Sequence, residues 1–412
     1  MAVEALKCKE CGETYALEAR FVCDICFGPL EVKYDYSGLD AAELRRKIQS
    51  GPLNIWRYAD FLPFETRPQT ALSAGMTPLV RADRLAERLG IREVWIKNDA
   101  ANPTHSFKDR VVTVALAKAR ELGYEVVACA STGNLANAVA AHAAAAGLES
   151  YVFIPSDLEE QKILATGVYG TNLVAVRGSY DDVNRLCTEL AGDRDWAFVN
   201  VNMRPYYSEG SKTLGFEIAE QLGWELPDRV VCPVASGSLF TKIARGFEEW
   251  LEVGLVEGEL PKFNGAQPEG CSPVAQAYDA GTDVCRPVRT PDTIAKSLAI
   301  GNPADGIYAL DLARRSGGGI DSVTDDEIRA GIRLLAETTG IFTETAGGVT
   351  TAVLRKLAER GDIGPDERVA LVITGEGLKT LDAVRGTFEV NAIEPTLGSF
   401  EEAFSPPVTA GA

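Results

Sequence analysis

Hydrophobic and polar positions alternate along most of this chain in a way that predicts β-strands and α-helices in turn. Short apolar runs typical of buried parallel strands occur at Glu93–Lys97, Glu125–Ala130, Ser150–Ile154, Arg229–Val234 and Val369–Thr374. Longer amphipathic runs between them predict helices, among them Val111–Leu122, Ala136–Ala146 and Asp325–Thr338. Strands that alternate with helices indicate an α/β protein with parallel sheets.

The composition limits the classes of function. The chain has 412 residues, of which 46% are hydrophobic, and this is enough apolar material for two or three domains. Acidic residues outnumber basic ones by 59 to 41, which gives a net charge of −18. Because such a surface repels phosphate backbones and anionic membranes, we expect no nucleic-acid and no membrane partner.

No segment predicts export or membrane insertion. The first residues lack the basic stretch and apolar run of a secretory signal. The most apolar stretch, 126–148, is interrupted by Ser131, Gly133 and Asn137 and falls short of about 18 uninterrupted apolar residues. Nine cysteines, an odd count, argue against a disulfide framework and favour a reducing compartment. We therefore expect a cytoplasmic protein.

Four of the cysteines form two Cys-x-x-Cys pairs near the N-terminus. Cys8 and Cys11 make the first pair, Cys23 and Cys26 make the second, and eleven residues separate the two pairs. This spacing is typical of a small zinc ribbon, in which each pair places two thiolates on one face of a tetrahedral ion. Four thiolates leave no open coordination position, so such a metal is structural. Four free thiols in a ribbon without metal are the alternative.

Polar residues are concentrated where predicted strands end, which is where parallel sheets bind ligands. The first such segment, 102–110, reads Asn-Pro-Thr-His-Ser-Phe-Lys-Asp-Arg. Asn-Pro sets a turn, Ser106 is a candidate N-cap, and Lys108 then falls in the first helical turn. The helix dipole disfavours a charged lysine there and favours the neutral amine that Schiff-base chemistry requires. The alternative is a surface lysine that pairs with Asp109.

Three further junctions contain residues suited to an anionic aromatic ligand. In the segment 130–137, a polar turn precedes an alanine-rich helix, and Asn134 can donate to a phenolate oxygen; helix capping by the turn is the alternative. The segment 233–242 is a small-residue loop that suits phosphate binding by backbone N–H groups, and it lacks the spacing of a nucleotide P-loop. Thr374 ends an apolar strand, where its hydroxyl can face the crevice of the sheet; a plain turn that ends the strand is the alternative.

Together these segments resemble the fold-type-II enzymes that use pyridoxal 5'-phosphate (PLP), the tryptophan-synthase-β-like group. Their order is the lysine segment, then Ser-Thr-Gly-Asn, then the small-residue loop, then Thr-Gly-x-Gly. The segments 102–110 and 374–379 are specifically similar to those of the threonine synthase family. The cysteine pairs resemble a ribbon that many of its bacterial and archaeal members carry. The resemblance covers essentially the whole chain.

The resemblance implies an architecture. Two open α/β domains with parallel sheets are expected, with a small zinc-ribbon-like element at the N-terminus and the PLP site between the domains. The implied ranges are 1–36 for the ribbon, 37–82 and 206–412 for the larger domain, and 83–205 for the smaller domain. A homodimer is also implied.

The resemblance also implies a role for each candidate cofactor residue. Lys108 carries PLP, Asn134 donates to its ring hydroxyl, and Thr374 faces its ring nitrogen. The cofactor phosphate is expected at the loop formed by Ala235, Ser236, Gly237, Ser238 and Leu239. This loop departs from the family's pattern, because many relatives have more glycine and asparagine here.

The implied reaction is the conversion of O-phosphohomoserine and water to threonine and phosphate. Arg204 is the main candidate for binding the substrate phosphate, because a guanidinium can form two parallel hydrogen bonds with it; a surface ion pair is the alternative. Further candidate donors are Thr104, Ser106, Ser131 and Thr132. Cysteate synthase and serine/threonine dehydratases remain alternatives within the fold. A zinc-ribbon binding module is the alternative from another class, and it requires a basic ribbon.

Overall fold

The computed structural model describes residues 3–131, 133–156, 158, 160–178 and 180–404. Its strands in chain order are β1 (Val3–Cys8), β2 (Thr14–Tyr15), β3 (Leu30–Tyr34), β4 (Leu79–Arg81), β5 (Glu93–Asn98), β6 (Val126–Ala130), β7 (Glu149–Pro155), β8 (Asn172–Val176), β9 (Ala197–Phe198), β10 (Arg229–Pro233), β11 (Lys262–Pro268), β12 (Gly319–Val323) and β13 (Arg368–Ile373).

Helices alternate with these strands along most of the chain. The α-helices are α1 (Ala41–Gln49), α2 (Asp83–Leu89), α3 (Lys108–Glu121), α4 (Asn134–Ala146), α5 (Glu160–Gly167), α6 (Tyr180–Asp193), α7 (Arg204–Glu209), α8 (Lys212–Gln221), α9 (Ser238–Glu252), α10 (Pro273–Asp279), α11 (Gly306–Arg315), α12 (Asp325–Thr339), α13 (Thr345–Glu359) and α14 (Leu397–Phe404). Short 3₁₀ turns lie at Ile55–Phe61, Asp99–Ala101, Glu269–Cys271, Lys296–Leu298 and Gly377–Val384. Within the described residues, no helix is long and apolar enough to cross a membrane.

The strands form three sheets. The largest has the order β12-β11-β10-β13-β5-β4, and all its neighbours are parallel except the edge pair β4 and β5. The second has the order β8-β7-β6-β9 and is parallel throughout. The third, β2-β1-β3, is antiparallel and lies at the N-terminus. The predicted fold class, two parallel-sheet α/β units with a small N-terminal element, is confirmed.

The five predicted strands are all present, and each end lies within one residue of its prediction. The helices predicted from amphipathic runs are present too. Helix α3 begins at Lys108, three residues before the amphipathic run at Val111 and one residue after the start that an N-cap at Ser106 predicts. Its first turn has no apolar signal, because Asp109 and Arg110 are buried through polar contacts rather than hydrophobic ones.

Sheet membership differs from the predicted domain ranges at one strand. Strand β5 falls within 83–205, the range predicted for the smaller domain, yet it pairs in parallel with β13 of the six-stranded sheet, from Glu93 opposite Arg368 to Asn98 opposite Ile373. The apolar pattern of a strand shows that it is buried but not which neighbour it pairs with.

Both parallel sheets are covered on two faces. Val230 and Cys232 of β10 pack in one apolar cluster, and Val231 packs in another on the opposite face, because successive side chains of a strand point to opposite sides. The four-stranded sheet shows the same division, with Cys129 and Ala128 of β6 in different clusters. Burial of both faces leaves the ends of the strands as the places where polar groups can meet a ligand.

Candidate active site

Lys108 is the first residue of α3, directly after the turn that follows β5. Its side-chain amine donates a 2.7 Å hydrogen bond to the hydroxyl oxygen of Tyr207. The prediction that Ser106 is the N-cap is wrong: Phe107 occupies that position, and Ser106 Oγ accepts a 3.3 Å hydrogen bond from the Lys108 backbone. The helix begins later because Ser106 pairs with Gly375 in an isolated β-bridge.

The residues beside Lys108 hold this turn in place. The buried carboxylate of Asp109 accepts hydrogen bonds from the Thr104 backbone at 2.8 Å and from the Thr104 hydroxyl at 3.0 Å. It also lies 2.8 Å from Nε2 of His142. Asp109 therefore faces the interior and does not form a surface pair with Lys108, and the Thr104 hydroxyl is already committed to this carboxylate.

Arg110 fixes the start of α3 through buried ion pairs. Its guanidinium lies 2.7 Å from Asp99 and 2.5 Å from Glu217, and all three side chains are fully buried. Lys97 of β5 also pairs with Glu217, at 2.6 Å. Burial alone raises the pKa of Glu217, but the charges of Arg110 and Lys97 lower it to about 2. The network ties α3 to β5 and α8.

Asn134 is the first residue of α4 and follows the turn after β6. Its Nδ2 donates to Glu344 at 2.9 Å, and its Oδ1 accepts from Lys379 at 2.8 Å. The buried hydroxyl of Ser131 accepts hydrogen bonds from the backbone N–H groups of Gly133, the N-cap residue of α4, at 3.4 Å and of Ala136 at 3.2 Å. Thr132 lies outside the described residues.

Thr374 directly follows β13 and is buried. Its hydroxyl lies 3.5 Å from Glu344 Oε1, and its carbonyl accepts a 2.9 Å hydrogen bond from the Phe107 N–H. The backbone of the next residue passes close to Glu344, since a Cβ at Gly375 would lie 2.4 Å from the Glu344 carboxylate. These contacts bring the lysine turn, Asn134 and Thr374 into one neighbourhood.

The small-residue loop 235–239 joins β10 to α9. Gly237 has a φ of 101°, in the region that favours glycine, and a Cβ there would lie 2.6 Å from the Asp305 carbonyl oxygen. The carbonyl of Ser236 accepts a 2.8 Å hydrogen bond from the Asp305 N–H. Ala235 and Ser238 are partly exposed, and the loop ends at the start of a 15-residue helix. Such a junction suits an anion.

Arg204 is the first residue of α7, and its guanidinium lies 2.7 Å from the carboxylate of Asp305. The ion pair considered as the alternative for this residue is therefore present. The ion pair lies next to the loop 235–239, because Asp305 contacts both Arg204 and this loop. The Arg204 side chain keeps 31% of its surface exposed. Tyr207 lies three residues further along the helix, on the same face.

Sequence reasoning missed three residues of this neighbourhood. Lys379 ends the Thr-Gly-x-Gly-Leu-Lys segment, so that motif contained a signal for it. Glu344 had no local signal, because its contact with Asn134 spans 210 residues. Tyr207 likewise meets Lys108 across 99 residues. Burial raises the pKa of Glu344 and lowers the pKa of Lys379.

The residue types at this site fit PLP. The cofactor requires an amine for a Schiff base, donors for its ring oxygen, a partner for its ring nitrogen and an anion site for its phosphate. Lys108, Asn134 and Thr374 supply the first three kinds of group within one neighbourhood. The glycine-dependent turn at Gly237, which opens directly into α9, is suited to the fourth.

The N-terminal sheet brings the four predicted zinc ligands together. The Sγ atoms of Cys8, Cys11, Cys23 and Cys26 all lie within 4.8 Å of one another, with 3.4 Å between Cys8 and Cys26 and 3.6 Å between Cys11 and Cys23. Four sulfurs at about 2.3 Å from a tetrahedral zinc are about 3.8 Å apart. The cysteines therefore fit a zinc ion.

Comparisons with known proteins identify the family of this chain. The sequence pattern of the family described as "Pyridoxal-phosphate dependent enzyme" matches residues 70–375. Threonine synthase of Methanocaldococcus jannaschii is 39% identical over 392 residues, covering 94% of this chain and 96% of the relative. Threonine synthase of Methanosarcina acetivorans is 41% identical over 396 residues, covering 95% of each.

Solved structures support the fold. Processed threonine deaminase isoform 2 from Solanum lycopersicum superposes with a TM-score of 0.64 at 23% identity, covering 85% of this chain and 90% of that one. A fungal L-serine ammonia-lyase from Rhizomucor miehei gives a TM-score of 0.64 at 21% identity, covering 77% and 98%. At these identities the likeness concerns architecture alone.

Two parallel sheets, a lysine at the start of a helix and the family match over 70–375 define this chain as a PLP-dependent enzyme of fold type II. The two relatives that match this chain over nearly their whole length are threonine synthases, so they specify the family within this class. The chain belongs to the threonine synthase family. The alternative of a zinc-ribbon binding module does not explain a family match that extends over residues 70–375.

Proposed function

We propose that this protein converts O-phosphohomoserine and water to threonine and phosphate, with PLP held by Lys108. The observation that carries the proposal is the meeting of the Lys108 turn, Asn134 and Thr374 around Glu344, in a chain of the threonine synthase family. Threonine as the product is supported by the relatives, which are threonine synthases. A phosphorylated substrate is supported by the partly exposed guanidinium of Arg204.

The cofactor contacts follow from the chemistry of each group. Lys108 offers the amine, Asn134 offers an N–H to the ring oxygen, and the Thr374 hydroxyl suits a ring nitrogen that stays unprotonated. The loop 235–239 and the start of α9 offer backbone N–H groups to the cofactor phosphate. When bound, PLP withdraws electrons from the α-carbon of an amino-acid substrate.

Lys108 is also the proposed base. A lysine amine within reach of the α-carbon can take its proton and then a proton from the β-carbon. Phosphate then leaves from the γ-carbon, the γ-carbon gains a proton, water adds at the β-carbon and a proton returns to the α-carbon. The hydroxyl of Tyr207, 2.7 Å from the amine, holds it in a fixed direction. His142 is not available for this role, because its Nε2 contacts the buried Asp109.

The phosphate of the substrate requires a second cationic position, because the loop N–H groups are used by the cofactor phosphate. Arg204 supplies a partly exposed guanidinium one helical turn from Tyr207. A phosphate dianion within reach competes with Asp305 for this guanidinium. The other donors proposed for the substrate remain Thr104, Ser106, Ser131 and Thr132, of which the Thr104 hydroxyl would donate to the phosphate only after it leaves Asp109.

The remaining expectations belong to the same proposal. The four ribbon cysteines are proposed to hold one structural zinc, supported by sulfur separations of 3.4 and 3.6 Å. The division into a larger domain (37–82 and 206–412) and a smaller one (83–205), and the homodimer, stay predictions. A cytoplasmic location is supported by nine cysteines, none of which forms a disulfide in the described residues.

One assay separates this function from its relatives within the fold. Purified protein with PLP is supplied with O-phosphohomoserine, with O-phosphoserine and sulfite, or with serine or threonine alone, and phosphate, ammonia, 2-oxo acids and amino-acid products are measured. We expect phosphate and threonine from O-phosphohomoserine in equal amounts. Cysteate from the second mixture would identify a cysteate synthase instead, and ammonia with a 2-oxo acid from serine or threonine would identify a dehydratase.

A further inference from the structure

Asn134 lies between two buried groups of opposite charge. Its Oδ1 accepts a 2.8 Å hydrogen bond from Lys379, which lies in the 3₁₀ turn Gly377–Val384. Its Nδ2 donates a 2.9 Å hydrogen bond to Glu344, the N-cap residue of α13. Neither contact was expected from the sequence. They come from two elements that are remote from α4 along the chain.

These two contacts determine which way the amide of Asn134 points. A lysine ammonium can only donate, a carboxylate can only accept, and an amide has one end of each kind. If the amide turned by half a rotation, its NH₂ group would face Lys379 and its oxygen would face Glu344, so both hydrogen bonds would be lost. The observed orientation leaves the second N–H of Nδ2 free for another acceptor.

Lys379 and Glu344 are themselves held in place. The Lys379 amine also donates to the Thr104 carbonyl at 2.6 Å, and the Glu344 carboxylate approaches the Thr374 hydroxyl at 3.5 Å. A side chain at Gly375 would collide with the Glu344 carboxylate, so the backbone passes close to it.

The charges around the pair favour its ionised form, and burial opposes it. The positive charges of Lys379 and Lys108 act to lower the pKa of Glu344. The negative charges of Glu344, Asp109 and Glu376 act to raise the pKa of Lys379. Burial alone raises the pKa of Glu344 and lowers the pKa of Lys379. A buried pair that loses one member leaves an uncompensated charge beside Asn134.

We propose that Lys379 and Glu344 are positioning residues that act through Asn134, holding its free N–H toward the ring oxygen of PLP. This inference rests on the part of the proposed function that gives Asn134 to the cofactor ring. It assigns to Lys379 and Glu344 the role of orienting Asn134. Of these three residues, only Asn134 is proposed to contact the cofactor.

The test is a double-mutant cycle on cofactor affinity, without substrate. The full-length holoenzyme and its variants are stripped of PLP, and PLP is titrated back while the absorption spectrum is recorded. We expect Lys379→Met and Asn134→Ala each to weaken PLP binding on the order of tenfold and to shift the visible absorption maximum, as the loss of one hydrogen bond to a charged partner predicts. In the Asn134→Ala background, Lys379→Met should add less than about twofold.

Two variants serve as controls. Lys379→Arg keeps a donor and should recover most of the affinity. Lys356→Met makes the same change at the other end of α13, where the amine donates to the Ser322 carbonyl at 3.0 Å, and should leave PLP affinity and spectrum unchanged.

Glu344→Gln tests the second partner with a side chain of the same shape. It keeps the packing, removes the charge, and should shift the absorption maximum in the wild-type background but not with Asn134→Ala. If Lys379→Met weakens PLP equally in both backgrounds, Lys379 binds the cofactor directly and the proposal is overturned. Unchanged affinity and spectrum in both Lys379→Met and Glu344→Gln overturn it as well. Failure to form threonine has no bearing on these titrations, so the two proposals fail separately.

Discussion

The side-chain amine of Lys108 donates a hydrogen bond to the hydroxyl oxygen of Tyr207 at 2.7 Å. The contact joins α3 to α7, the helix that also carries Arg204 one turn before Tyr207. Because residues three apart on a helix share a face, the proposed cofactor lysine and the proposed phosphate-binding arginine lie along one surface. The substrate's amino group and its phosphate can then be bound at the two ends of this surface.

Lys108→Ala should abolish the covalent cofactor link and lower turnover on the order of a thousandfold or more, because it removes both the Schiff-base amine and the proposed base. Borohydride reduction of the wild-type holoenzyme, followed by peptide mapping, should place the label on Lys108. Lys379→Arg serves as the control and should retain this label. A label on Lys379 in the wild-type protein would refute the assignment.

Tyr207→Phe should lower turnover about five- to tenfold while PLP stays bound, because the amine of Lys108 loses one hydrogen bond. Turnover and the absorption spectrum of bound PLP are the measurements. Tyr206→Phe is the matched control, since the Tyr206 hydroxyl donates to the Glu18 carbonyl at 2.9 Å instead. Equal effects of the two changes would show that the Lys108 contact has no role in catalysis.

Arg204→Ala should weaken binding of O-phosphohomoserine by about 2 to 5 kcal/mol, because a charged donor to the phosphate is lost. The spectrum of bound PLP should stay intact. The measurements are KM, turnover and the absorption spectrum. Arg329→Ala, which breaks the surface pair of Arg329 with Asp326 at 3.0 Å, should change neither KM nor turnover. An unchanged KM in Arg204→Ala would mean that another donor, such as the Ser131 hydroxyl, binds the phosphate.

Replacing Cys8 and Cys11 by serine should remove about one zinc per chain and lower the melting temperature, with a smaller effect on turnover per folded molecule. A structural zinc stabilises the folded ribbon and is not part of the reacting groups. Metal analysis and thermal unfolding are the measurements. Cys285→Ser, at a partly buried free thiol, is the control. Wild-type protein without zinc would support the ribbon of free thiols.

Glu217→Gln should lower the free energy of unfolding at neutral pH by about 3 to 5 kcal/mol, because it leaves Arg110 and Lys97 buried without their shared partner. The pKa of Glu217 is lowered to about 2 in the folded state, against about 4.3 when unfolded. Its contribution is therefore fully present above about pH 4.3 and is lost as pH falls toward 2.

Denaturant unfolding as a function of pH measures this effect. The loss of stability between pH 5 and 2 should be less steep in Glu217→Gln than in the wild type. Glu337→Gln, which removes the exposed partner of Arg333 at 2.9 Å, should have little effect at any pH. Parallel pH curves for Glu217→Gln and the wild type would exclude the proposed linkage.

Much of the fold and chemistry was predictable from the sequence, because the signals are local. Hydrophobic periodicity placed five strands to within one residue at each end, and two Cys-x-x-Cys pairs indicated four cysteines that the structure brings within 4.8 Å of one another. The residue types at the ends of strands indicated Lys108, Asn134 and Thr374 as candidates for one site. These inferences require only spacing along the chain and the chemistry of the side chains.

Tertiary structure alone decided how these segments meet. Strand β5 joins β13 rather than the smaller sheet, and Ser106 pairs with Gly375 instead of capping α3. The partner of Asn134, Glu344, is 210 residues away along the chain. No local pattern encodes such contacts, because which buried donor meets which buried acceptor depends on how sheets and helices pack. The orientation of the Asn134 amide is therefore a property of the folded chain.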